Sequence, residues 1–79
     1  MSDRHPSLEE VLELAAEILE VDTARPDDSW YSLGGDSLTA LQLSAIAEES
    51  WGLLVDVDQV TDAPSFTALH AVLGTQRPR

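Results

Sequence analysis

Seventy-nine residues are enough for one small domain, and a hydrophobic share of 43 % supports a packed core rather than an acidic disordered tail. Four Lys+Arg against fifteen Asp+Glu give a formal net charge of −11, and every base is an arginine: Arg4, Arg25, Arg77 and Arg79. Binding a phosphate backbone needs clustered basic side chains that displace counterions, so nucleic acid is excluded as a partner, and an anionic membrane surface would repel the chain too.

Ser7-Leu8-Glu9-Glu10 reads as a capping box that opens the first helix. Leu8, Val11, Leu12, Ala15, Ile18 and Leu19 then recur at helical spacing, with Glu9, Glu13, Glu17 and Glu20 opposite, which predicts an amphipathic helix of about four turns. A long connection follows from Val21 to Asp36, where Pro26, Asp27-Asp28-Ser29 and Gly34-Gly35 disfavour regular structure. Trp30, Tyr31 and Leu33 are too apolar for a solvated loop and are expected to pin it onto the helices.

Asp36 is a good cap for a second helix running to about Ser50 and ending at Trp51-Gly52, where Gly52 suits a left-handed cap. That helix carries two apolar stripes, Ala40, Leu43, Ile46 and Ala47 on one side and Leu38, Leu41 and Ala45 on the other. So small a domain does not easily surround a helix, so the second stripe is expected to be an interaction face. Leu53-Leu54-Val55 is strand-like but has no partner strand and reads as an extended segment. Asp56 can cap a short helix from Val57 to about Thr61, and Ala63-Pro64 ends it. Ser65 caps the last helix, whose inward face is Phe66, Leu69, Val72 and Leu73; Gly74 closes it, and residues 75–79 read as a tail. The expectation is an all-α fold: a small bundle of three main helices plus one short helix, with a long first loop. It is one domain over residues 1–79 with an ordered core of about 7–74 and a modest stability of about 3–5 kcal/mol.

Candidate chemistry is sparse. The absence of cysteine removes disulfides and thiolate metal sites, and the absence of lysine removes a phosphate-cradling loop of the usual kind. Asp56-Val57-Asp58 begins like a calcium loop, but Val60 stands at the next ligand position and the required glycine and final glutamate are missing, so no metal is expected. Gly35-Asp36-Ser37-Leu38 spells the string of a class of lipolytic hydrolases, yet no strand precedes Ser37, and the only histidines are His5 near the terminus and His70 on the last helix. Hydrolase is therefore rejected, and His70 reads as a residue at the rim of the core. What remains is Ser37 at a helix start behind Gly34 and Gly35. Amide donors and the positive end of the helix dipole suit a covalently attached phosphate there, and the glycines leave room for another enzyme's active site. The alternative is that Ser37 merely backs up Asp36 as a helix-start residue.

Leu33-Gly34-Gly35-Asp36-Ser37-Leu38 resembles the signature of peptidyl carrier (thiolation) domains of nonribosomal peptide synthetases, in the acyl carrier protein superfamily. The resemblance covers nearly the whole chain. Asp28-Ser29-Trp30-Tyr31-Ser32 is similar to the acidic-aromatic lead-in, with Trp30-Tyr31 where two phenylalanines are usual. Leu38-Thr39-Ala40-Leu41-Gln42-Leu43, Trp51-Gly52 and Ala63-Pro64-Ser65-Phe66-Thr67-Ala68-Leu69 resemble the family's later landmarks at matching spacing. The resemblance implies an acyl-carrier-like bundle in which Ser37, supported by Gly34, Gly35 and Asp36, carries a 4′-phosphopantetheine arm taken from coenzyme A by a magnesium-dependent phosphopantetheinyl transferase. The arm's thiol would hold an aminoacyl or acyl group, so the protein would be a carrier and not an enzyme.

Further partners implied are an adenylating enzyme, tailoring enzymes, and a condensation enzyme or thioesterase. Leu38, Leu41 and Ala45, with Val60 on the short helix, are the candidate anchors for such weak serial contacts. Asp36 stands where many peptidyl carriers have histidine, and the Asp-Ser-Leu form is shared with fatty-acid and polyketide carriers. Gly34-Gly35 and the uncharged start of the second helix favour the peptidyl type. An acidic helical adaptor without a cofactor is the alternative of another class. Met1 and the short flanks suggest a free-standing, monomeric, cytoplasmic carrier.

Overall fold

The computed structural model describes residues 5–75. Four α-helices follow in chain order: α1, Leu8–Leu19; α2, Ser37–Ile46; α3, Val57–Asp62; and α4, Phe66–Thr75. A 3₁₀ turn over Tyr31–Leu33 precedes α2 and a π-helical turn over Ala47–Trp51 extends it. α1 packs on α2 and α4, and α3 bridges α2 and α4.

The capping box at Ser7 forms as the sequence predicts. The Glu10 amide donates to Ser7 Oγ at 3.1 Å and the Ser7 amide donates to Glu10 Oε1 at 2.8 Å. α1 is 12 residues long, a little over three turns rather than four. It stops because Glu20 turns left-handed at φ 58, which lets the Val21 amide donate back to the Ala16 carbonyl at 3.1 Å. Glycine is the usual residue for that geometry. Here a glutamate holds it, with its side chain exposed.

The core is assembled from one face of each helix. Val11 and Ala15 come from α1, Ala40 and Leu43 from α2, Val60 from α3, and Phe66, Leu69 and Leu73 from α4, with Trp30, Trp51, Leu53 and Val55 filling between them. The first apolar stripe of α2 is the buried one, and Leu38, Leu41 and Ala45 face outward. Residues 53–55 are extended and alternate, Leu53 and Val55 inward and Leu54 outward, and Ser44 Oγ donates to the Val55 carbonyl.

The structure corrects the sequence reading at three points here. α2 does not run uniformly to Ser50 but widens after Ile46 into the π turn, which Gly52 then closes at φ 68. Tyr31 does not pin the loop: it is 58 % exposed, and Trp30, 1 % exposed, does that work with half-buried Leu33. Gly74 lies within α4, which ends at Thr75; the rest of the expected tail, residues 76–79, lies outside the described residues.

Candidate functional site: an exposed serine at the tip of α2

The long loop delivers the chain to Ser37 through a seat built on Trp30. The indole Nε1–H points at the Asp36 carbonyl at 3.2 Å and the Thr39 hydroxyl at 3.1 Å, and the ring meets Phe66 edge-on with centroids 6.2 Å apart. Burying an indole is tolerated because its one polar atom finds these partners. Gly34 closes the 3₁₀ turn at φ 90, its amide donating to the Tyr31 carbonyl at 3.0 Å. Gly35 then donates to the Trp30 carbonyl at 2.9 Å and passes directly against the indole. A Cβ on Gly35 would sit 2.8 Å from the Trp30 carbonyl oxygen and closer still to the ring edge, so only glycine fits. From the sequence, both glycines are expected to give a modifying enzyme clearance. Gly35 is instead buried and serves the packing, whereas nothing lies within 4 Å of where a Gly34 side chain would begin.

Asp36 and Thr39 lock the helix start reciprocally. The Thr39 amide donates to Asp36 Oδ1 at 2.9 Å, and the Asp36 amide donates to Thr39 Oγ1 at 2.9 Å. These bonds to the Thr39 amide and hydroxyl, aided by the Leu38 amide, hold the Asp36 carboxyl below the ordinary aspartate range. The positive end of α2 is therefore already met by a carboxylate. The Thr39 amide, one of the donors at that helix end, is given to Asp36.

Ser37 follows as the first residue of α2, exposed, and its hydroxyl has no hydrogen-bond partner among the described residues. Leu38, Leu41 and Ala45 come one, four and eight residues later, so at about 100° per residue they share with Ser37 an arc of about 100° on one face of α2. Leu38 is 68 % exposed and Leu41 55 %. Beside them lies a depression of about 380 Å³ floored by Leu41, Ala45, Leu54 and Val55 and rimmed by Glu48 and Asp56.

Val60 does not join this face. It is 1 % exposed and belongs to the core, so the expectation that it anchors a partner is corrected. A helix of six residues offers one inward turn, and α3 spends it on Val60. The residue that sequence reasoning missed is Leu54, 53 % exposed beside Leu41. The in–out alternation of an extended Leu-Leu-Val triplet was the available signal. His70 is tied elsewhere, its Nε2 lying 3.0 Å from the Pro6 carbonyl, where it joins α4 to the start of α1.

The family model described as "Phosphopantetheine attachment site" matches residues 9–73. A malformin synthetase of Aspergillus niger is 41 % identical over 56 residues, covering 71 % of this chain and 1 % of that protein. A vanchrobactin synthetase of Vibrio anguillarum is 37 % identical over 70 residues, covering 87 % of this chain and 2 % of that protein. The chain thus spans a very small part of these relatives. Among solved structures, a nonribosomal PCP domain superposes with a TM-score of 0.71 at 27 % identity, covering 95 % of this chain and 96 % of that one. BlmI, a type-II acyl carrier protein of Streptomyces verticillus involved in bleomycin biosynthesis, shares the fold with a TM-score of 0.76 at 18 % identity, over 85 % of this chain and 81 % of that one. Carrier domains of nonribosomal synthetases are modified by phosphopantetheinyl transferases, meet adenylating, condensing and other enzymes, and in general catalyse nothing themselves. The chain belongs to the phosphopantetheine attachment site family, whose members bear a covalently attached 4′-phosphopantetheine.

Proposed function

We propose that Ser37 is the attachment point and that the protein is a peptidyl carrier, presenting an aminoacyl or related acyl group to partner enzymes of a nonribosomal peptide or similar pathway. The observation that carries this reading is the Ser37 hydroxyl itself: exposed, without a hydrogen-bond partner among the described residues, and held at a fixed helix start by the Trp30–Asp36–Thr39 network. The peptidyl type is favoured over a polyketide or fatty-acyl carrier because the malformin and vanchrobactin synthetases named above are nonribosomal peptide synthetases.

The chain's own residues set the chemistry. In the attachment step the Ser37 oxygen bonds to the phosphorus of coenzyme A that bears the pantetheine, the bond to the bridging pyrophosphate oxygen breaks, and adenosine 3′,5′-bisphosphate leaves. The serine proton must go to a base. Asp36 is a poor one, because its carboxylate is held below the ordinary range by the amides of α2 and by Thr39. His70 is committed to the Pro6 carbonyl. Neither residue is placed to take that proton, so base, magnesium and phosphoryl stabilisation are assigned to the transferase. When bound, the arm supplies a terminal thiol for thioester formation. Leu38, Leu41, Ala45 and Leu54, flanked by Glu48 and Asp56, form the face on which transferase, adenylating enzyme and condensing or releasing enzyme dock in turn. The protein works as a cytoplasmic monomer whose acidic field steers these encounters; no helix among the described residues is long and apolar enough to cross a membrane.

The test is intact mass after incubation with coenzyme A, magnesium and a broad-specificity transferase. One phosphopantetheinyl group should be gained by the natural sequence and none by Ser37→Ala. An unchanged mass for the natural sequence, or equal gain by both, contradicts the assignment.

A further inference from the structure

A second surface lies on the other side of α2. Ile46 follows Ser37 by nine residues, which places it about 14 Å along the helix and about 180° around it. There, between α1 and the π turn, a groove of about 260 Å³ is floored by Leu14, Ile46 and Trp51 and rimmed by Glu10, Glu13 and Glu17. Glu10 is engaged in the Ser7 capping box. Glu13 and Glu17 are exposed and have no hydrogen-bond or ion-pair partner among the described residues. Arg25 is the one arginine or lysine among those residues, and it sits on the long loop, outside the groove lining. An apolar floor bordered by the exposed Glu13 and Glu17 carboxylates is the complement of an apolar side chain flanked by cations.

We propose that this groove is a second docking surface, for a segment of a partner protein that presents an apolar side chain between lysines or arginines. The pairing of apolar seat and negative rim names that partner chemistry. A second copy of this chain, itself at −11, does not fit it. Because the groove faces away from Ser37, a partner held here leaves the serine and the Leu38–Leu41 face open, so the carrier can be tethered by one protein while another acts on its arm. The inference does not depend on Ser37 being modified.

The test uses the full chain, labelled with ¹⁵N, and a synthetic amphipathic helical peptide of leucine and lysine. Saturable shifts of amide signals should cluster on Glu13, Leu14, Glu17, Ile46 and Trp51, in the natural sequence and in Ser37→Ala alike. The double change Glu13→Gln/Glu17→Gln should weaken binding about five-fold, while Glu9→Gln/Glu20→Gln, the same charge change on α1 and its C-cap but outside the groove, should alter it by about two-fold or less. A peptide of equal charge with serine in place of leucine should bind about ten-fold or more weakly. Four results overturn the proposal: no saturable binding; shifts spread over all the acids with both double variants equally affected; shifts confined to the Leu38–Leu41–Leu54 face; or the same shifts produced by deleting residues 76–79, which would make the chain's own tail the occupant.

Discussion

The starts of α2 and α4 are built from similar sequence and put to opposite uses. Both follow helix-breaking residues, Gly34-Gly35 and Pro64, and both have a small polar cap, Asp36 and Ser65. At α4 each of the first four amides is taken up by the fold. Phe66 donates to the Asp28 carbonyl at 2.8 Å, Thr67 to the Pro26 carbonyl at 3.2 Å, Ala68 to Ser65 Oγ at 3.1 Å and Leu69 to the Ser65 carbonyl at 2.9 Å. That start is a joint, clasping the long loop against the core. At α2 the support comes from behind, through Trp30, Gly35 and Thr39, and the front is left open, so Ser37 is exposed with its hydroxyl unengaged by the described residues. One serine is consumed by structure; the other is kept rigid in backbone and free in side chain.

The largest effect should come from removing what both helix starts share. Trp30 donates to the α2 cap region and packs on Phe66 at the α4 start, so Trp30→Ala should cost about 3–5 kcal/mol, comparable with the whole stability of so small a domain. Chemical denaturation should find it largely unfolded. Next, Gly35→Ala forces a methyl into the Trp30 carbonyl and indole and should cost about 1–3 kcal/mol, whereas Gly34→Ala meets no neighbour and is opposed only by its φ of 90. A Gly35→Ala protein as stable as the natural one would show that the seat can shift. Third, Ser65→Ala removes a cap from the structural start and should lower stability by about 1 kcal/mol without affecting phosphopantetheine uptake.

Smaller is the pH effect at Asp36. A carboxyl held below its unfolded range adds stability that is fully present above the ordinary aspartate range and fades as pH falls through the lower folded value. Asp36→Asn should therefore melt below the natural sequence at neutral pH, and the gap should close on acidification below about pH 4. A gap that widens on acidification would reverse the sign of the argument. Smallest of all, Ser37→Ala should leave the unfolding free energy from chemical denaturation within about 0.5 kcal/mol, since its side chain is exposed and its hydroxyl holds nothing among the described residues.

Sequence reading was good where information is local. Ser7, Asp36 and Ser65 announce helix starts because a cap needs only its own next turn, and the two stripes of α2 were separable because the 3.6-residue period sorts them without knowledge of the neighbours. It failed where facing is decided by tertiary packing. Val60 sits on too short a helix for periodicity to orient it, and Tyr31 follows Trp30 in a loop that has room for one aromatic inside. The π turn was hidden because Gly52 marks the end of α2 and not the widening before it. The meaning of Gly35 was hidden as well, since its close neighbour Trp30 reaches it through a turn whose shape the sequence does not print. As for the site, Ser37 and its outward stripe could be singled out, while Leu54 could not until the extended segment was seen beside α2.

The account rests on which serine receives the prosthetic group. The direct measurement is proteolysis and fragment mass mapping of the protein after exposure to coenzyme A, magnesium and transferase. The account predicts the phosphopantetheinyl group on Ser37, at full occupancy and on no other residue. Modification at Ser44, Ser50 or Ser65, or a Ser37 fragment of unaltered mass beside an active transferase, would contradict it.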